Sequence, residues 1–64
     1  MILRFWDKGH SRAIAIASEK IVAFTEITSA HGGTNIVVEG LREPVWVQES
    51  YQEVSKRLEE ALGK

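Results

Sequence analysis

The side chains able to do chemistry are few and scattered along the chain. His10 and His31 lie in two separate turn-like stretches, "DKGH" and "SAHGGTN". Neither shares a spacing with an acidic or histidine partner that would make a metal site. Each reads as a solvated turn residue. "HGGTN" invites a phosphate-loop or oxyanion reading, but the lysine and the following helix that such loops use are missing. A hairpin tip explains both glycines without a ligand.

Ser11, Ser18, Ser29, Ser50 and Ser55 lack the surroundings of a nucleophile, since no G-x-S-x-G is present. Glu49 and Glu53 could suggest paired carboxylates, yet they flank a helix start, where negative charge is favoured electrostatically in any case. Catalysis also needs a cleft that excludes water, for which so small a chain has little room. An enzyme is therefore not expected, nor a metal, cofactor or small-molecule substrate.

The elements that would position these residues begin from a length of 64, close to the lower limit for folding without a staple. A single domain spanning residues 1–64 is expected. A chain of this size buries about 60% of its unfolded surface, so the core is thin. With no cysteine, disulfides and thiolate sites are excluded, and support must come from tight packing or self-association. Eight Lys and Arg against nine Asp and Glu give a net charge of −1, so no strong field recruits nucleic acid or acidic lipid. The opening "MILRFWDKGH" reads as neither signal peptide nor membrane span, and no apolar run approaches ~20 residues. A soluble, cytoplasmic protein without membrane insertion is the expectation.

Ile2 to Trp6 reads as a first strand, and Gly9 is placed to take positive φ in the turn that follows. In "RAIAIA", Ile14 and Ile16 fall on one face and Ala13, Ala15 and Ala17 on the other. Alternation of period two predicts a strand, with a short helix through "SRAIAIASEK" as the alternative. "KIVAFTEIT" is dense in β-branched residues and is the clearest strand: Ile21, Ala23, Thr25 and Ile27 alternate with Val22, Phe24 and Glu26. Gly32-Gly33 gives the backbone freedom for a hairpin turn, and "NIVVEG" returns as a strand. Pro44 is confined to a strand start, leaving Val45 to Gln48 as the last strand.

Ser50 followed by Glu53 is a capping box at a helix start. Tyr51, Val54, Leu58, Ala61 and Leu62 then form one apolar stripe. Glu53 with Arg57, and Lys56 with Glu60, are pairs four residues apart that support the helix, and Gly63 is placed as a left-handed stop. The predicted fold is α+β: a small five-stranded, mainly antiparallel sheet with one C-terminal helix packed on one face. Val45 and Val47 should meet the helix together with Ile36, Val38, Phe24 and Ile14.

One helix covers one face. The opposite face would carry Trp46, Val37, Ala23, Ile21 and Trp6, an apolar and aromatic surface of the kind that marks interaction sites. The alternative is a sheet that curls around its own second face. Such a face could also stack bases, but Arg4, Arg12, Lys20 and Arg42 are interleaved with Asp7, Glu19, Glu39 and Glu43, so the phosphate-binding contribution is largely missing. Nucleic acid is not an expected partner; a homo-oligomer or a protein partner is.

Gly9, "SEKIVAF" from Ser18, "GTNIVVEG" from Gly33 and "VQESYQEV" from Val47 together form a pattern that resembles the small FlbD (SwrD) proteins of flagellar and swarming motility, and the phage proteins that look like them. The likeness covers nearly the full length. It implies a non-enzymatic cytoplasmic protein that supports flagellar motor function or swarming through protein contacts, with no catalytic residues to carry over. The alternative reading is a phage-type regulator that binds a host protein or single-stranded nucleic acid.

Overall fold

A computed structural model of the protein describes residues 1–63. Its elements are β1 (Ile2–Asp7), β2 (Arg12–Ala17), a 3-10 turn (Ser18–Lys20), β3 (Ile21–Glu26), β4 (Thr34–Val38), β5 (Val45–Val47) and α1 (Tyr51–Leu62). They form the predicted architecture: a five-stranded sheet in the order β2-β1-β5-β4-β3, every pair antiparallel, with the C-terminal helix packed on it. "RAIAIA" is a strand, registered against β1 so that Leu3 faces Ile16 and Phe5 faces Ile14. The short helix weighed for this stretch is reduced to the 3-10 turn at Ser18–Lys20.

The core is one cluster of Leu3, Phe5, Ile16, Ile36, Val38, Val45, Val47, Val54 and Leu58, with Ile14, Ile21, Phe24 and Ala61 packed against it. Five strands at ~4.8 Å spacing span about 19 Å, wider than a helix of about 10 Å. Yet residues of β1 and β2 on one side and of β4 on the other are all buried with Val54 and Leu58. The sheet therefore curls over the helix, and only three residues, Ser18–Lys20, link its two edge strands. Full burial of a Val or Leu side chain stabilises by about 1.5–3 kcal/mol, so Val54, Leu58 and the strand residues beneath them dominate the thin core.

α1 starts where the sequence predicts. Ser50 is the N-cap, and its hydroxyl accepts from the Glu53 amide at 3.1 Å. The reciprocal half of the capping box is diverted: the Glu53 carboxylate accepts from Arg57 Nε at 2.9 Å instead. Gly63 closes the helix with φ −73°, outside the left-handed region, while its amide donates to the Glu59 carbonyl. Gly9 likewise does not take positive φ; the left-handed residue of the β1–β2 turn is Ser11, at φ 51°.

The principal correction concerns β3. Its register against β4 shifts between Ile21 and Ala23, so that Ile21 lies opposite Val38 and Ala23 opposite Val37. This bulge leaves Val22 as the extra residue and puts Ile21 and Phe24, three positions apart, on the same core side. Ile21 thus belongs with the helix rather than with the open face. Strict alternation along "IVAF" fails because a bulge resets the pleat.

Candidate functional site

Two surfaces and one polar cluster stand out once the elements are assembled. The first surface is the sheet face turned away from α1. Trp6 is 40% exposed and Val37 39%. On the neighbouring strands Ala13 lies opposite Trp6 and the exposed Ala23 opposite Val37. Small alanine side chains keep this face low around its larger residues, and the exposed Arg4, opposite Ala15, shares it.

Trp46 also belongs to this face, lying opposite Asn35 of β4, but it is half-buried because two loops close over it. Its indole Nε1 donates to the Gly32 carbonyl at 3.1 Å. His31 meets the ring edge-on at a centroid distance of 6.1 Å, and Lys8 Nζ sits 5.3 Å from the ring centroid. Lys8 Nζ also donates to the His31 carbonyl at 2.8 Å. "HGGTN" therefore acts as a clasp over Trp46. Both of its glycines take positive φ, Gly32 at 67° and Gly33 at 94°. A Cβ at Gly33 would run into the Val47 carbonyl and come within 3.0 Å of Trp46 Nε1.

The second surface was not anticipated. A groove of about 620 Å³ runs between β3 and α1, floored by Ile21 and Phe24 and walled by Val22, Tyr51 and Leu62. Val22 is 67% exposed and Leu62 77%. The Tyr51 ring rests against Phe24 with centroids 5.1 Å apart. Along the helix stripe Val54 and Leu58 are buried, while Tyr51 and Leu62 at its two ends stay exposed. The apolar residues at both ends of that stripe, Tyr51 and Leu62, were the signal in the sequence that could have pointed to the groove.

The polar cluster centres on Asp7, only 3% exposed at the end of β1. Its carboxylate lies 3.1 Å from His10 Nδ1 and 3.4 Å from Arg12 Nε, and accepts from the His10 amide at 3.3 Å. Burial alone raises the Asp7 pKa. The hydrogen bonds and charge of His10, with the hydrogen bond from Arg12, outweigh that and hold it below its ordinary value. His10 is thus an exposed turn residue with a specific carboxylate partner. The adjoining cleft, about 320 Å³, carries Arg12, Arg42, Asp7 and Glu43. Both charge signs are present there, so the cleft selects no one class of ion.

Glu49 and Glu53 share one partner. Both turn toward Arg57, with Glu49 Oε2 at 3.9 Å from Nη1 and Glu53 Oε2 at 2.9 Å from Nε. Glu49 Oε1 also accepts from the Trp6 amide at 3.2 Å, and Arg57 donates to the Arg4 carbonyl. Since β5 has three residues and pairs with β1 in register only at Asp7 and Val47, these side chains occupy a stretch of β1 where a longer strand would otherwise lie.

Site and fold together define a small curled sheet closed by one helix, with an outer face that exposes Trp6 and Val37 and a largely apolar groove beside β3. Neither a family model, nor a curated protein, nor a solved structure matches the chain. The resemblance to the FlbD proteins rests on the quoted motifs alone.

Proposed function

We propose that this protein is a non-enzymatic, cytoplasmic protein-interaction module that self-associates through the outer sheet face. The observation that carries the reading is the exposure of Trp6 and Val37 on a face whose neighbouring positions, Ala13 and Ala23, are small and apolar. Aromatic residues anchor interfaces, and the small alanines beside Trp6 and Val37 leave room for a second copy to approach them. The small size supports the same reading, because association adds apolar burial that a core this thin lacks. Trp46 lies on the same face, half-covered by its loop clasp. If the FlbD resemblance extends to function, this contact serves flagellar motor function or swarming.

Molar mass by light scattering on an eluting peak, across a dilution series, tests the proposal. A dimer or larger species that Trp6→Ser or Val37→Lys converts to a folded monomer is the expected result. A monomer at every concentration would overturn self-association. Trp46→Ala is a poorer probe, because it removes the clasp hydrogen bond to Gly32 as well as surface.

A further inference from the structure

We infer that the groove between β3 and α1 is a docking site for an extended segment of a partner protein, apolar at its centre and flanked by lysine or arginine, which adds beside β3 as a sixth strand. The inference is independent of the outer face. β3 is an edge strand, hydrogen-bonded only to β4, so its other side presents unpaired backbone donors and acceptors. Edges are commonly blunted by lysine, proline or brevity. β3, the six-residue run IVAFTE, has neither lysine nor proline; its bulge near the start and Glu26 at the end, which also blunt edges, leave Ala23–Thr25 between them.

The groove lies along that open edge. Its lining takes consecutive residues from β3 and, from α1, a row including Tyr51, Ser55, Leu58 and Leu62. These helix residues recur at three- and four-residue steps and so make one wall. An incoming strand would bond to the β3 backbone and set alternate side chains against that wall, the strand-addition mode of peptide recognition. Six residues at ~3.3 Å each give the segment a length of about 20 Å.

Charge selects the occupant. Among the described residues, the lining carries Glu19 and Glu59 and no lysine or arginine. Glu19 is engaged by the terminal amine, in an exposed pair at 3.3 Å, and accepts from the Ser18 hydroxyl at 3.2 Å. A second copy docking groove to groove would oppose like carboxylates, whereas basic flanks meet them favourably.

The test uses the full chain and a labelled peptide with a Val-Thr-Val-Thr-Val core between lysine pairs, followed by fluorescence anisotropy and amide chemical shifts. Saturable binding that perturbs Ile21–Glu26 and the Tyr51–Leu62 wall is expected. Replacing the lysines by glutamate, or the central valine by proline, should weaken it at least tenfold. Val22→Lys and Leu62→Lys, both at exposed positions, should weaken it similarly while leaving the circular dichroism spectrum unchanged. Three results would overturn the inference: no binding at millimolar peptide, equal affinity for the two charge versions, or shifts confined to another surface. Self-association abolished by Val22→Lys rather than by Trp6→Ser would assign the groove to a second copy, and would overturn it too.

Discussion

Replacing Gly33 by alanine isolates the close approach that holds the Trp46 clasp. At φ 94° an L-residue is strained, by about 1–2 kcal/mol for left-handed backbone. The new Cβ would also meet the Val47 carbonyl, a backbone atom of a central strand with no flexible end to swing aside. The loop must therefore shift, at a cost typical of overpacking, about 1–3 kcal/mol. The sum is about 3 kcal/mol, which in a domain of this size lowers Tm by roughly 12–24 °C at about 4–8 °C per kcal/mol. Gly32 supplies the control within the same turn. It too has positive φ, 67°, but nothing lies within 4 Å of its Cβ position, so Gly32→Ala should cost only about 1 kcal/mol. Thermal unfolding by far-UV circular dichroism, paired with tryptophan fluorescence, measures both. Melting temperatures of the two variants within about 2 °C of each other would refute the packing argument and leave backbone strain as the whole effect.

The remaining predictions concern polar groups inside the fold. Asp7 has a folded pKa held below its unfolded value, so its contribution to stability is present above about pH 3.9 and is lost as pH falls through the folded pKa. Thermal melts from pH 7 to pH 2 should lose stability toward acid, and Asp7→Asn should reduce that loss; an unchanged slope would assign the linkage elsewhere. Thr34 is fully buried and donates to the Glu49 carbonyl at 2.8 Å. Thr34→Val, which keeps the shape and deletes the donor, should therefore destabilise by about 1–2 kcal/mol in urea titrations. A loss below about 0.3 kcal/mol would mean that water replaces the hydroxyl. Arg57→Met removes the bonds to Glu53 and Arg4 together with the guanidinium over Phe5; hydrogen exchange at the Trp6 amide should accelerate, and unchanged protection there would sink the bridging role.

The elements themselves were legible because their signals are local. Alternation marked β2, the glycine pair marked the β3–β4 turn, and Ser50 with Glu53 marked the start of α1. What stayed hidden depended on neighbours distant in the chain. "IVAF" is apolar at every position, so periodicity has no polar residue from which to detect the bulge that moves Ile21 to the core side. Asp7 looks like a turn carboxylate, and its burial follows only from β1 running one residue further than expected, between β2 and β5. Trp46 read only as a member of the outer face, because nothing in its own strand announces that Lys8 and His31 will close over it. The outer-face residues Trp6, Val37 and Ala23 lie where alternation placed them.

The Arg57 bridge has a consequence for the order in which the molecule can be made. A stretch of β1 is completed by side chains from residues 49 and 57 instead of by a strand, and the Arg57 bond to the Arg4 carbonyl spans 53 positions. During synthesis, β1 and β2 can pair early, as can β3 and β4, but the seam between the two hairpins waits for β5 and α1 to leave the ribosome. Contacts so far apart in sequence close slowly, and an unfinished seam is an open strand edge in the interval. The nascent chain is therefore most exposed to aggregation just before the helix docks, and variants that weaken the Arg57 bridge should lower soluble yield by more than their equilibrium stability accounts for.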